Sequence, residues 1–185
     1  MLQYLKAFLE FIWEVVKVAV VSLAIILPIR YFLVQPFYVK GASMEPNFTD
    51  HDYLLIDEIS YRFRAPERGE VVVFRYPKNP RDFYIKRVVG LPGERVVIKD
   101  TKVLVSSGAE LVELPEKYLD VNYLGGQPNS NYLDVTLGAD QYYVMGDNRR
   151  ASSDSRSFGP ITKHDLIGRS WVRAWPFNRW KVFSE

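Results

Sequence analysis

The sequence predicts a mostly β fold, in which an antiparallel β-sheet domain follows one N-terminal transmembrane helix. Three observations predict it. An uncharged stretch lies near the N-terminus, short apolar runs separated by turn residues fill the remainder, and 48% of the 185 residues are hydrophobic, which suffices for one main core. We expect residues 1–35 to form a membrane anchor and residues 36–185 a β-rich domain.

The anchor prediction depends on the apolar run that follows Lys17. Residues 18–29 carry no charge, and accepting Arg30 extends the run to Val34, which is the short end of what a membrane-spanning helix needs. Lys17 and Arg30 can extend their charges toward lipid headgroups and so lengthen the effective span. Further upstream, apolar residues recur at three- and four-residue steps, as in an amphipathic helix.

Other interpretations of this N-terminal segment stay open. A buried or interfacial helix of a soluble protein would also be apolar. A cleaved signal peptide is less well supported, because residues 31–38 are bulky and offer no small-residue cleavage site. Two lysines before the run balance two basic residues after it, so the charge distribution does not decide the orientation.

Beyond Pro36 the pattern indicates short antiparallel strands. Apolar runs typical of strands occur at residues 53–56, 71–74, 83–89, 96–98, 103–105 and 142–145. Turn signals with Gly, Pro or Asn separate these runs. Residues 101–136 are the least regular part, and we expect a peripheral insertion there, with a hairpin and a long loop at residues 125–131.

The composition restricts the possible chemistry. The absence of cysteine excludes disulfides, thiolate nucleophiles and cysteine zinc sites, and two distant histidines are a poor metal-ligand set, so we expect no metal and no cofactor. The 24 basic and 22 acidic residues are mixed along the chain, which gives no electrostatic footprint for nucleic acid. Hydrolytic chemistry would therefore need a hydroxyl nucleophile and a base.

Two segments can supply that pair. Ser43 lies in the sequence Gly-Ala-Ser-Met-Glu-Pro, where Gly41 allows a substrate backbone to approach; an ordinary turn serine is the alternative. Lys86 lies in a predicted strand and shares a face with Tyr84, where desolvation can remove its charge. The alternative for Lys86 is a lysine at a sheet edge with its charge in solvent.

A third segment, residues 145–159, combines small hydroxyl side chains with two acids and three arginines. Bidentate pairs of Asp and Arg can make such a loop rigid, and a hydroxyl from it can orient a neutral lysine. The alternative is a solvated polar loop.

Four segments, taken together and in order, resemble type I signal peptidases, the membrane-anchored serine proteases that remove signal peptides. They are residues 41–46, 69–74, 84–94 and 146–159. The resemblance implies a β-sheet catalytic domain of signal-peptidase type and a single-pass protein of the plasma (inner) membrane, with that domain on the extracytoplasmic side. It also implies two partners, the lipid bilayer and preproteins that bear signal peptides, with the translocation machinery as a further candidate.

The resemblance implies roles for individual residues as well. Ser43 corresponds to the nucleophile, Lys86 to the general base, and Ser152 to the hydroxyl that positions the Lys86 amine. Further catalytic support is implied for the four charged residues of the third segment, Asp147, Arg149, Asp154 and Arg156.

The resemblance places three residues in substrate binding, namely Gly41, Met44 and Tyr84, and implies cleavage after small residues at positions −1 and −3. Gly41 departs from part of the family, in which a hydroxyl at this position contributes to the oxyanion hole. Arg150 stands where an acid often occurs.

Two other functions stay open. A self-cleaving peptidase could use the same serine and lysine, and a membrane-tethered β-domain could act in secretion as a scaffold without any enzymatic activity.

Overall fold

The structure, a computed structural model, describes residues 2–32, 34–99, 101–106, 108, 110–124 and 132–183. It consists of an N-terminal helix followed by two β-sheets whose paired strands are all antiparallel. The mostly β antiparallel fold expected from the sequence is thereby confirmed. The expected long loop at residues 125–131 lies outside the described residues.

Helix α1 (Leu2–Phe32) is one continuous element that contains both the amphipathic and the apolar stretches of the N-terminal segment. Its described apolar side chains are largely exposed. Within the described residues, no helix combines the length and the apolar character needed to cross a membrane.

The first sheet has eight described strands, in the order β1-β2-β11-β3-β4-β9-β10 with β12 beside β11. Its strands are β1 (Val34–Tyr38), β2 (Tyr53–Asp57), β3 (Val71–Tyr76), β4 (Asn79–Gly90), β9 (Gln141–Met145), β10 (Ile161–Thr162), β11 (Leu166–Trp175) and β12 (Lys181–Val182). Two short helices, α2 (Ser60–Phe63) and α3 (Ser155–Phe158), lie in its connections.

The second sheet is smaller, with the order β7-β6-β5-β8. Its strands are β5 (Arg95–Lys99), β6 (Lys102–Ser106), β7 (Val112–Glu113) and β8 (Tyr132–Thr136). Within residues 101–136, which we expected to form an insertion, β6 and β8 pair with β5, and β7 pairs with β6.

Strand β11 is the main element that the sequence pattern does not predict, although it joins β2 to β3. A half-buried strand usually alternates apolar and polar residues, but this strand has arginines at some of the positions where apolar residues would be expected. Arg169 pairs with Asp57 at 3.0 Å, and Arg173, which is 5% exposed, pairs with Asp52 at 3.0 Å. Because the acidic partners of these two arginines are distant in sequence, periodicity alone cannot reveal such a strand.

The two sheets share a core where β4 leads into β5. Val89, Val96 and Tyr143 pack there in one buried cluster. Gly90 ends β4 at this point, and a Cβ atom on it would lie 2.6 Å from Val96 Cγ2 and 2.9 Å from Leu137 Cδ1. Only glycine therefore lets the two sheets approach this closely.

We predict that Gly90→Ala destabilises the protein by roughly 1–3 kcal/mol, the usual cost of forcing an extra carbon into a packed core. Denaturant unfolding followed by tryptophan fluorescence measures the loss. Gly108→Ala is the matched control, since a Cβ there meets no atom within 4 Å. Equal stabilities of the two variants would contradict the close packing at Gly90.

Candidate active site

A cavity of about 550 Å³ opens on the first sheet, and both Ser43 and Lys86 line it. Its other walls come from three parts of the chain: β1 with the residues that follow it, strands β2 and β3, and the first half of β4. These residues are Phe37, Tyr38, Val39, Lys40, Leu54, Val73, Arg81, Asp82, Phe83, Tyr84 and Ile85, together with Ser153.

The structure brings Ser43 and Lys86 into direct contact. The Lys86 Nζ atom donates a hydrogen bond to Ser43 Oγ at 2.7 Å and a second one to the Ile85 carbonyl oxygen at 2.8 Å. Lys86 is 3% exposed, so its amine sits in the protein interior with these two acceptors. A hydroxyl and an amine are therefore paired at the cavity wall, as a nucleophile and its base would be.

Burial also changes the protonation of Lys86. Desolvation of the charged form lowers the pKa of this lysine from its ordinary value of 10.5 to about 8, although Asp154 and Asp147 oppose the shift. Each of these carboxylates is bound by an arginine, Asp154 by Arg156 and Asp147 by Arg87. The amine is thus able to lose its proton near neutral pH.

The Asp154–Arg156 pair holds the loop that follows β9. Arg156 donates to both carboxylate oxygens, at 2.8 and 2.7 Å, and the Gly146 N–H donates to Asp154 at 3.0 Å. Burial raises the pKa of Asp154, but the hydrogen bonds and ion pair with Arg156 and the hydrogen bond from the Gly146 N–H outweigh it and keep the pKa below its ordinary value. Ser152, expected to orient the Lys86 amine, is 3% exposed and lies in the same loop.

The Ser43 segment is held from two sides. Gly41 has a φ of +87°, which glycine adopts readily, and its N–H donates to Asp50 at 2.8 Å. On the other side, Asn148 donates from its backbone N–H to the Ser43 carbonyl oxygen and from its side chain to the Ala42 carbonyl oxygen, both at 3.1 Å. Backbone contacts thereby fix the orientation of Ser43.

The residues expected to bind substrate have different placements. Tyr84 lines the cavity, with its ring 5.4 Å from Lys86 Nζ. Gly41 is exposed, between Lys40 and Ser43. Met44 is 1% exposed and packs in the core with Leu54, which itself lines the cavity.

Asp147 and Arg149 are both buried and both form ion pairs. Asp147 accepts hydrogen bonds from Arg87 at 2.8 and 2.6 Å and from Asn47 at 2.9 Å. Arg149 pairs with Glu116, donating at 3.0 Å. The scaffold thus includes residues that sequence reasoning missed.

Among these residues, only Arg87 could be recognised from the sequence. It is a second cation in the otherwise apolar predicted strand at residues 83–89, so it needs an acidic partner. Asn47, Glu116 and Asn148 have no such signal, since their contacts join distant segments. Within the described parts of the chain, no three side chains of His, Asp or Glu are grouped as metal ligands.

Comparison with known proteins identifies the family. The family model for signal peptidase, peptidase S26, matches residues 12–175. A probable signal peptidase I-2 of Synechocystis sp. is 40% identical over 171 residues, covering 90% of this chain and 74% of that protein. A signal peptidase IB of Staphylococcus aureus is 34% identical over 185 residues, covering 93% of each.

Among solved structures, the chain is similar to a signal peptidase I from Enterococcus faecalis, with 30% sequence identity and a TM-score of 0.48. The match covers 57% of this chain and 97% of that one. The resemblance inferred from the four sequence segments is confirmed by the family model and by the curated relatives. The chain belongs to the signal peptidase family, peptidase S26, whose members are serine endopeptidases.

Proposed function

We propose that this protein is a membrane-bound endopeptidase that removes N-terminal signal peptides from exported preproteins by means of a Ser43–Lys86 dyad. The observation that carries the proposal is the 2.7 Å hydrogen bond between Lys86 Nζ and Ser43 Oγ on the wall of an open cavity. Membership of the peptidase S26 family supports the same reaction class.

In the proposed reaction the neutral Lys86 amine accepts the Ser43 proton while the hydroxyl oxygen attacks the scissile carbonyl carbon. The Ser43 N–H stabilises the oxyanion that forms. The protonated lysine then gives its proton to the leaving amine as the carbon–nitrogen bond breaks, which leaves an ester on Ser43. Water, deprotonated by Lys86, attacks this ester and releases the signal peptide with a new carboxylate, and the proton returns to Ser43.

Ser152 and the Asp154–Arg156 pair support this chemistry indirectly. Ser152 is buried in the loop that Asp154 holds, and Arg156 neutralises the Asp154 carboxylate. We propose that this arrangement keeps the loop rigid and limits the charge that Lys86 faces, so that the amine stays both oriented and deprotonated.

The cavity suits an extended peptide. Its walls include the apolar side chains of Val39, Leu54 and Ile85. We propose that small side chains at positions −1 and −3 of the substrate fit against these walls, while the peptide backbone pairs with an exposed strand edge. Small residues at these positions are typical of secretory cleavage sites.

Helix α1 is the proposed membrane attachment. Apolar side chains such as Val18, Leu23 and Ile26 are exposed along it, with no contact that would bury them among the described residues. In the C-terminal part, Trp175 and Trp180 are also exposed, and such rings favour the interface of a bilayer. Because preproteins reach this enzyme after translocation, we place the β-domain on the extracytoplasmic side of the plasma (inner) membrane.

Ser43→Ala should abolish cleavage of a preprotein in detergent, because it removes the attacking hydroxyl, and Lys86→Ala should do the same by removing the base. We expect losses of roughly a thousandfold or more in kcat for each variant. Ser153→Ala is the control, since Ser153 lines the same cavity but its hydroxyl lies beside Ser157. Retention of full activity by Ser43→Ala would leave the scaffold function as the better interpretation.

The pH dependence of kcat/KM should follow the deprotonation of Lys86. Burial lowers its pKa to about 8, so the active, neutral form predominates above that pH and declines about tenfold per unit below it. If the peptide substrate has no groups that titrate between about pH 6 and 11, this decrease of kcat/KM at low pH, the acidic limb of the profile, reports on the enzyme and not on the substrate. A limb centred near 10.5 would mean that Lys86 keeps its charge and is not the base.

Introducing charge into α1 should weaken membrane attachment. We expect the double variant Leu23→Lys, Ile26→Glu to shift from the membrane pellet toward the alkaline carbonate supernatant, because charges at the centre of a lipid-embedded helix are costly. The matched control is the same pair of charges at exposed positions of the β-domain, Val112→Lys and Tyr132→Glu. Identical extraction of both double variants would contradict attachment through α1.

A further inference from the structure

After β7 the chain leaves the second sheet and runs, as far as residue 124, toward the loop that follows β9. We call residues 115–124 the brace segment. Its Glu116 carboxylate accepts hydrogen bonds from both terminal nitrogens of Arg149, and the two side chains are only 9% and 5% exposed. The Arg149 N–H also donates to the Tyr123 carbonyl oxygen at 3.1 Å. The brace segment thus fixes Arg149 through both its side chain and its backbone.

Fixing Arg149 also fixes the contact that holds Ser43. Asn148, the preceding residue, donates from its backbone N–H to the Ser43 carbonyl oxygen and from its side chain to the Ala42 carbonyl oxygen. Arg149 itself donates from Nε to the Gly146 carbonyl oxygen at 3.1 Å, which ties the two ends of this turn together. Arg149, which Glu116 binds, is therefore adjacent in sequence to Asn148, the residue that holds the backbone at Ala42 and Ser43.

Tyr118 links the brace segment to the part of β4 that carries Lys86. Its ring lies 4.0 Å from the guanidinium carbon of Arg87, the residue that follows Lys86 in β4. Its carbonyl oxygen accepts a hydrogen bond at 2.8 Å from Asn47, which lies four residues after Ser43. Its hydroxyl donates to Glu116 at 2.6 Å, so the two brace residues are joined to each other.

We propose that Glu116 and Tyr118 are positioning residues for the proposed peptidase reaction, and that the brace segment sets the relative placement of Ser43 and Lys86. Tyr118 contacts Arg87, which follows Lys86, and Asn47, which lies four residues after Ser43. Glu116 binds Arg149, whose neighbour Asn148 binds the Ser43 carbonyl oxygen, and Glu116 and Tyr118 also bind each other. The inference rests on the proposed function of the dyad. It gives the second sheet a role in the reaction, since this sheet carries the strand from which the brace segment departs.

A positioning role has an electrostatic consequence that a purely structural role lacks. Burial lowers the pKa of Lys86, while Asp154 and Asp147 oppose the shift, and Arg87 neutralises Asp147 through two hydrogen bonds. The Tyr118 ring covers the guanidinium of Arg87. Loss of the ring should let Arg87 move, which leaves Lys86 facing a less neutralised carboxylate and makes its proton harder to lose.

The experiment measures kcat, KM and the pH profile of the full chain in detergent on a preprotein-derived peptide. For Tyr118→Ala we expect kcat to fall roughly tenfold with KM changed less than about twofold, since small displacements of reacting groups affect the chemical step. We also expect the acidic limb to move upward by roughly half a unit, part of the one to three units that a nearby full charge produces. Tyr118→Phe, which keeps the ring, should retain the wild-type limb.

Two variants in the second sheet provide matched controls. Tyr132→Ala removes a tyrosine of β8 whose hydroxyl bonds to Asp134, and Glu113→Gln removes a carboxylate of β7 that pairs with Lys102. Neither contacts the loop after β9 in the structure, so both should keep the wild-type kcat and pH limb. Glu116→Gln, the counterpart of Glu113→Gln, should lower kcat.

Thermal unfolding separates positioning from stability. If Tyr118→Ala lowers the unfolding midpoint but keeps the wild-type kcat and pH limb below that temperature, the proposal is overturned. If Tyr118→Ala does not fold, Tyr118→Leu and Glu116→Gln decide the question by the same readouts. Ser43→Ala in the same assay tests the dyad itself, so its retention of activity would reject the proposed function rather than the brace.

Discussion

The constraint on which the proposed site depends is that a lysine buried inside the protein must be able to lose its charge within hydrogen-bond distance of a serine hydroxyl. Burial lowers the pKa of Lys86 from 10.5 to about 8, which at about 1.4 kcal/mol per unit costs roughly 3 kcal/mol of stability at neutral pH. Because the unfolded chain holds this proton more tightly than the folded chain, stability from this group rises with pH between about 8 and 10.5. The fold must supply the difference elsewhere.

The carboxylates around Lys86 are paired with arginines, which limits how far they favour its protonated form. Two carboxylates near Lys86 would favour its protonated form, yet they also give the loop after β9 its rigidity. Bidentate pairing with Arg87 and Arg156 satisfies both demands, because it neutralises each carboxylate and fixes its direction. Removing one partner of such a buried pair would leave a charge without compensation. Such a change would therefore disturb both the loop and Lys86.

The sequence predicts the parts of this protein whose signal is local. Apolar runs such as residues 71–74, which are buried on both sides of the sheet, are recognisable as strands. The residue types of Ser43 and Lys86 likewise suit a hydroxyl nucleophile with a desolvated base. What it does not predict depends on long-range pairing. Strand β11 is stabilised by arginines whose partners lie more than a hundred residues away, and Asn47 binds Asp147 across 100 residues. For Met44 the motif indicates the position but not the direction of the side chain.

Strand β1 ends the first sheet, and among the described strands it pairs with β2 on one side only. Open edges of this kind attract any extended chain, including a second copy of the protein, which makes them sites of aggregation. Pro36, near the middle of β1, has no N–H to offer, so the edge cannot present an unbroken row of donors. A peptide that paired with this edge would form fewer backbone bonds than it would on an unbroken strand, and the same break disfavours edge-to-edge association between copies of the protein.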